Sequence, residues 1–231
     1  AGFSGYQGWL SLGLPEIGEV SPNEHVFYTT SGWDINGTET HTVTITDTAP
    51  IKLALLSVYV SQDYRRPNST HNTWKLERFR NYAMLKLNAD QIKSYQPIYV
   101  SITTNTLVKF VIHVDGESTP IYLTQESGHP RRLVNGRQNR FQLHRSNYGQ
   151  KLVVYSESCD DGIPPIFRVS GSDDGRGGAS STTKSKYIQY FERTNRGSDT
   201  NSMWFIFMRT DPGHTESINI YASSRVLIRH P

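Results

Sequence analysis

The stretch PIYVSITTNTLVKFVIHV, residues 97–114, decides the fold class of this chain. It contains two runs in which apolar and polar residues alternate, joined by the polar residues 104–106. Alternation with a period of two is typical of a β-strand with one buried face, and two such runs across a Thr/Asn turn predict a β-hairpin. A similar pair, MWFIFMRTDPGHTESINIYA, occupies residues 203–222. We therefore expect two β-modules in tandem, each closed by such a hairpin.

Further strand-like runs fill both halves in the same order. The runs FQL (141–143) and KLVVYS (151–156) resemble HTVTIT (41–46) and KLALLSVYVS (52–61) in the first half. The offset of about one hundred residues is the size of one small β-sandwich, which favours a tandem repeat.

The remaining segments complete this prediction. Residues 74–87 are expected to form strands. Residues 88–95 are expected to form a single helical turn capped by Asn88, and residues 171–185 a flexible Gly/Ser loop. The predicted fold is all-β, with two antiparallel, jelly-roll-like β-sandwich modules in tandem. Its parts are an apolar N-terminal segment (1–15), module 1 (16–115), a linker (116–129) and module 2 (130–231).

Composition and charge restrict the function classes. Of the 231 residues 35% are hydrophobic and 11% aromatic, which suits antiparallel sheets with polar outer faces. The formal net charge of +3 is too small to imply a nucleic-acid partner by itself. No apolar run is long enough to span a membrane. The single cysteine, Cys159, is expected to be a free thiol or to form an intermolecular disulfide.

Two Asn-x-Thr sequons indicate a glycoprotein. Asn36-Gly37-Thr38 and Asn68-Ser69-Thr70 both lie in polar, turn-rich stretches where a glycan is tolerated. Together with the composition they predict a secreted or cell-surface protein.

The second half carries a family resemblance. FQLHRSNYGQKLVVYSES (141–158), followed by PPIFRVS (164–170) and a closing pair of strands, resembles the β-sandwich modules of the pre-peptidase C-terminal type. This resemblance implies a non-catalytic accessory or binding domain, often for carbohydrate or protein. Paired modules of this general kind also resemble the ectodomains of membrane channels that take up double-stranded RNA.

No catalytic signature is present. The chain lacks a G-x-S-x-G elbow, and Asp160 and Asp161 beside Cys159 disfavour a thiolate. No two of the eight histidines have i, i+2 or i, i+4 spacing, so zinc is not indicated. His113 is expected to be a solvated surface residue. We predict that the protein is not an enzyme and needs no cofactor, with calcium as the one open alternative.

The calcium alternative depends on two acidic loops. Asp160-Asp161-Gly162 and Asp173-Asp174-Gly175 each place two carboxylates beside a glycine, as hard cations require. The same tripeptide is also an ordinary turn signal, and we favour plain turns.

Binding residues are predicted in two further sets. The run 129–145 contains no acidic residue and five arginines, which are Arg131, Arg132, Arg137, Arg140 and Arg145. These arginines are candidates for binding a sulfated glycan, phosphate or RNA. The alternative is that the run is a linker whose arginines form ion pairs with acidic loops. Trp33, Tyr64 and Tyr148 are candidates for stacking on sugar rings, with core packing as the alternative.

The uncharged segment 1–15 carries Phe3, Tyr6, Trp9 and Leu10. Such a segment is expected to be buried, either as an edge strand on its own module or as a strand added to a neighbouring chain. The favoured function is a non-enzymatic extracellular binding or adhesion protein for a glycan or protein. The alternatives are a structural subunit that assembles as a homo-oligomer through residues 1–15, as in a filament or surface layer, and a polyanion- or RNA-binding ectodomain.

Overall fold

The computed structural model describes residues 8–123, 128–133, 138–144, 150–159, 163–194, 203–210 and 216–226. In these ranges the chain consists of β-strands, connecting turns and one single-turn 3₁₀ helix. It divides into two compact units, Ala1–Thr119 and Pro120–Pro231. Each unit is a sandwich of two sheets, which confirms the predicted all-β tandem of antiparallel sandwiches.

The first sandwich is built from β1 to β9. Its sheets have the strand orders β1-β3-β8-β5-β6 and β2-β9-β4-β7. Every pairing is antiparallel except that of β1 with β3. The strands are β1 (Gly8–Leu10), β2 (Glu16–Val20), β3 (Val26–Thr30), β4 (His41–Asp47), β5 (Leu56–Ser61), β6 (Trp74–Phe79), β7 (Tyr82–Leu87), β8 (Tyr99–Thr104) and β9 (Val108–Gly116).

The core of the first sandwich follows the period-two pattern of its strands. Val58, Val100 and Ile102 of one sheet share a buried cluster with Val43 and Ile112 of the other. Each such side chain stabilises the fold by about 1.5–3 kcal/mol through burial. The residues between them, such as Thr44, Ser101 and His113, lie on the opposite face of each sheet and are also buried.

The second sandwich repeats the topology of the first. Its sheets have the orders β10-β12-β18-β14-β15 and β11-β19-β13-β17-β16, and β10 pairs with β12 in parallel, as β1 does with β3. Only β16 has no counterpart among the described strands of the first sandwich. The strands are β10 (Ile121–Tyr122), β11 (Gly128–Leu133), β12 (Gln138–His144), β13 (Gln150–Ser158), β14 (Phe167–Ser170), β15 (Ala179–Ser180), β16 (Thr182–Ser185), β17 (Ile188–Thr194), β18 (Met203–Arg209) and β19 (Glu216–Val226). Phe141, Phe167 and Trp204 are the largest fully buried side chains in its core.

The predicted hairpins are wrong. β8 pairs with β3 and β5, whereas β9 pairs with β2 and β4 in the opposite sheet. Residues 105–107 therefore carry the chain from one sheet to the other. β18 and β19 are separated in the same way. A strand in either arrangement buries every second residue, so the alternation predicts strands but does not reveal their partners.

The predicted match between the two halves was displaced by one strand. By its place in the sheets, β12 with residues 141–143 corresponds to β3, and β13 with residues 151–156 corresponds to β4. The displacement arises because alternating strands of similar length look alike in sequence.

Three connecting segments differ from expectation. Residues 171–185, predicted as a flexible loop, contain β15 and β16. Residues 116–129, predicted as a linker, contain β10 and the start of β11. The 3₁₀ turn Ala89–Gln91 forms where a helical turn was predicted, but Asn88 gives it no side-chain cap. Its closing hydrogen bond runs from Gln91 N to Asn88 O at 2.9 Å.

Candidate functional site

Three loops of the first sandwich come together at one end. Thr29 and Ser61, near the ends of β3 and β5, both pair with Tyr99 at the start of β8. The loops 31–40, 62–73 and 88–98 that adjoin these positions are therefore neighbours. We call the exposed aromatic residues of these loops, Trp33, Tyr64 and Tyr95, the aromatic loop end.

The aromatic loop end exposes large rings to solvent. Trp33 is 85% exposed, Tyr95 is 74% exposed and Tyr64 is 45% exposed. Tryptophan is on average a largely buried residue, so a ring this exposed is unusual. Its apolar surface is available to a ligand, because the core of the sandwich does not use it.

Two hydrogen bonds join the adjacent loops that carry Trp33 and Tyr95. Tyr95 N donates to Ile35 O at 3.1 Å, and Gly37 N donates to Ser94 Oγ at 2.8 Å. A Cβ atom at Gly32 would lie 2.8 Å from Tyr95 O, so the close approach of the two loops requires glycine there. Tyr95 itself has a φ of 60°, in the left-handed region.

Gln62 joins the third loop to this pair. Its Nε2 donates to Lys93 O at 2.9 Å and to Gln96 O at 3.1 Å, and its Oε1 accepts from Lys93 N at 2.8 Å. Lys93 Nζ also lies 2.6 Å from Asp63 Oδ1. Both charged groups are exposed, so the pair adds little stability but places two hydrogen-bonding groups beside the rings.

Glu39 anchors the base of the loop 31–40. Its buried carboxylate accepts hydrogen bonds from Ser118 N at 3.1 Å and Ser118 Oγ at 2.8 Å. His41 Nδ1 donates to Glu39 O at 3.1 Å. Burial lowers the pKa of the His41 imidazole, which keeps this histidine neutral near pH 7.

The sequence predicted two of the three rings. Trp33 and Tyr64, proposed for sugar stacking, lie on loops that Gln62 and the backbone tie together, while Tyr148 lies outside the described residues. Tyr95 was missed because it lies in the segment 88–95 that was predicted as a helical turn. Its position between the polar residues Ser94 and Gln96, just before Pro97, was the available signal.

The arginine run was predicted to lie on the surface, but Arg131 is buried. That residue is only 4% exposed, and it pairs with Ile218, a core residue of β19, so both side chains lie on the inner side of the sheet. Arg140 Cζ lies 4.9 Å from the centre of the Phe205 ring. Arg137, Arg145 and the side chain of Arg132 lie outside the described residues.

Of the two acidic loops, only Asp173-Asp174-Gly175 lies within the described residues, where hydrogen bonds hold it as a turn. Asp174 Oδ1 accepts hydrogen bonds from Ser172 Oγ at 2.6 Å and Arg176 N at 2.9 Å. These bonds, the one from Ser172 above all, lower the pKa of the Asp174 carboxyl. Asp173 is exposed beside it. Asp160 and Asp161 are outside the described ranges, within which no cluster of three or more His, Cys, Asp or Glu residues is placed to hold a metal ion.

His113 is buried, contrary to expectation. It is 1% exposed, and its Nε2 lies 3.4 Å from Oδ1 of the equally buried Asp115. The two residues are two positions apart on β9, so they point to the same face of the sheet.

The N-terminal segment pairs within its own unit where it is described. β1 joins the first sheet beside β3, and Leu10 is buried while Trp9 is 69% exposed. This arrangement is that of the edge strand predicted as the first alternative. Phe3 and Tyr6 precede the described residues.

A row of tyrosines crosses the second sandwich. Tyr155 of β13 pairs with Tyr221 of β19 on one side and with Tyr190 of β17 on the other. The Tyr155 and Tyr221 rings stack with their centres 4.7 Å apart. Burial, followed by the neighbouring Tyr221, raises the pKa of Tyr155. Cross-strand ring stacking of this kind stabilises a sheet.

Neither a scan against protein-family models nor a search of the curated proteins finds a match to this chain. No helix within the described part of the chain combines the length and apolarity needed to cross a bilayer. The function is therefore argued from the aromatic loop end itself.

Proposed function

We propose that this chain is a non-enzymatic, extracellular glycan-binding protein of the adhesion type, and that the aromatic loop end of its first sandwich contacts the ligand. The observation that carries the proposal is the exposure of Trp33 and Tyr95 on two loops that hydrogen bonds from Tyr95 N to Ile35 O and from Gly37 N to Ser94 Oγ join. Sugar rings present flat C–H faces, and exposed indole and phenol rings offer the apolar surface on which such faces stack.

The rigid loops favour affinity. A loop that is already ordered loses less conformational entropy when a ligand binds. Gln62 and the bonds between residues 35–37 and 94–95 join the loops that carry the three rings before any ligand arrives. Lys93 and Asp63 then supply a donor and an acceptor for sugar hydroxyls at the same end.

The resemblance to pre-peptidase C-terminal modules supports the same proposal. Such modules are non-catalytic and often bind carbohydrate or protein, and the β-sandwich fold of this chain is compatible with the resemblance. Because one fold serves many functions, the resemblance adds to the argument from the site and does not replace it.

A glycan array followed by affinity measurements tests the proposal. We expect the full chain to bind a defined group of glycans, and Trp33→Ala and Tyr95→Ala each to weaken binding about tenfold or more, which corresponds to about 1.4 kcal/mol. Tyr187→Ala is the matched control, since Tyr187 is an exposed tyrosine of the second sandwich. It should bind as the wild type does.

Two results would overturn the proposal. One is glycan binding that survives both Trp33→Ala and Tyr95→Ala. The other is an array without binding to any glycan, combined with capture of a protein partner that depends on the same rings, which would replace glycan recognition by protein recognition.

A further inference from the structure

We propose that the side-chain amides of Asn36 and Asn68 are acceptors for N-linked glycans. They belong to the only two Asn-x-Ser/Thr sequons in the chain, and neither sequon has proline at its middle position. Asn36 lies on the loop 31–40 and Asn68 on the loop 62–73. This inference goes beyond the proposed function; it rests on the extracellular location proposed there but not on glycan recognition by the aromatic loop end.

The two sequons adopt the same local geometry on loops of unrelated sequence. Asn36 Oδ1 accepts hydrogen bonds from Thr38 N at 3.0 Å and Thr38 Oγ1 at 2.8 Å. Asn68 Oδ1 accepts from Thr70 N at 2.9 Å and Thr70 Oγ1 at 2.8 Å. In both, the amide oxygen faces the threonine, so the amide nitrogen is directed away from it.

The acceptor nitrogens are available for modification. Asn36, Thr38 and Thr70 are exposed and Asn68 is half-buried. Within the described ranges, Nδ2 of neither asparagine makes a hydrogen bond. The neighbouring Asn72 differs, because its Nδ2 donates to Asn68 O at 2.9 Å and Ser69 O at 3.1 Å. A glycan on either sequon therefore displaces no hydrogen bond of the fold.

The modification is a group transfer from a lipid-linked oligosaccharide. Nδ2 forms a bond to the anomeric carbon of the first sugar while the bond from that carbon to the diphosphate oxygen breaks. The amide gives up one proton to a base of the transferring enzyme, and the lipid diphosphate leaves. Serine and threonine, the residues that the sequon allows at its third position, share a hydroxyl, and here the hydroxyl of Thr38 or Thr70 donates a hydrogen bond to the amide oxygen of its asparagine.

Mass spectrometry of the chain secreted from cultured eukaryotic cells tests this inference. We expect two glycans, and we expect peptide N-glycosidase to convert residues 36 and 68 to aspartate. Thr38→Ala should remove the glycan from Asn36 alone, and Thr70→Ala should remove the glycan from Asn68 alone. Thr38→Ser and Thr70→Ser are the matched controls, because serine keeps the hydroxyl, and both should retain their glycans.

A secreted wild-type chain with the mass of the bare polypeptide would overturn the inference, as would glycans that persist in the T38A/T70A double variant. If an alanine variant is not secreted, the conversion of residues 36 and 68 to aspartate in the wild type still tests the inference. Both readouts are masses, so they are independent of ligand binding. Binding assays on the aromatic loop end should use chains without these glycans, since Asn36 shares its loop with Trp33.

Discussion

Trp33 and Trp74 show how one residue type serves two purposes in the first sandwich. Trp74 is buried and its Nε1 donates to Gln91 Oε1 at 3.2 Å, so its ring belongs to the core. The indole of Trp33 is almost fully exposed and adds little to folding. The sequence separates the two only in part, since both lie near polar residues, and burial depends on how distant segments pack.

Tyr28 gives the first sandwich a defined response to alkaline pH. Burial, assisted by the nearby Glu16, raises the pKa of its phenol from the ordinary 10.0 to about 12. The unfolded chain therefore releases this proton at lower pH than the folded chain does. The contribution of the neutral Tyr28 phenol to the free energy of unfolding is fully present below pH 10. It is lost as the pH rises from 10 through 12, at about 1.4 kcal/mol per pH unit.

Urea unfolding of the wild type and Tyr28→Phe at pH 9 and pH 11 measures this effect. We expect the free energy of unfolding of the wild type to fall by about 1 kcal/mol more than that of the variant between the two values. Both proteins share the other tyrosines, so the difference belongs to Tyr28. Equal losses in the two proteins would contradict the assignment.

At the level of elements, one buried side chain links two loops of the proposed site. Gln62 makes three hydrogen bonds from the loop 62–73 to the loop 88–98 and is itself buried. Removal of a buried partner leaves the facing amide and carbonyls unsatisfied, which typically costs about 1–3 kcal/mol.

Gln62→Ala should therefore loosen the site without unfolding the sandwich. We expect faster hydrogen exchange at the Lys93 amide and several-fold weaker glycan binding, with about 1–2 kcal/mol lost in stability. Asn72→Ala is the control, because it removes hydrogen bonds of the loop 62–73 that do not reach the loop 88–98. Unchanged exchange at Lys93 would show that other contacts hold the two loops together.

The strands themselves could largely be predicted from the sequence, whereas their pairing could not. The alternation in residues 99–104 and 108–114 gave β8 and β9, but it was compatible both with a hairpin and with a crossing between sheets. The decisive information lies in contacts with β3, β4 and β5, which are distant in sequence. The same limit explains why Arg131 and His113 were expected on the surface.

At the scale of the whole molecule, the two sandwiches share one topology among their described strands. Both have a parallel edge pair and a final strand that crosses to the second sheet. The first carries the aromatic loop end and both sequons. The tandem arrangement was predictable from the recurring pattern, but the site was only partly so, because a backbone hydrogen bond from Tyr95 to Ile35, which no motif encodes, joins the loop of Tyr95 to that of Trp33.

The most direct test of glycan recognition at the aromatic loop end is an NMR titration of the full chain that follows its indole N–H signals. The chain has four tryptophans, and Trp9 and Trp33 are both exposed, so each exposed ring serves as a control for the other. With a glycan selected on the array, we predict a saturable shift of the Trp33 signal and unchanged signals from Trp9, Trp74 and Trp204. A saturable shift at Trp9 with Trp33 unchanged would contradict the proposed site.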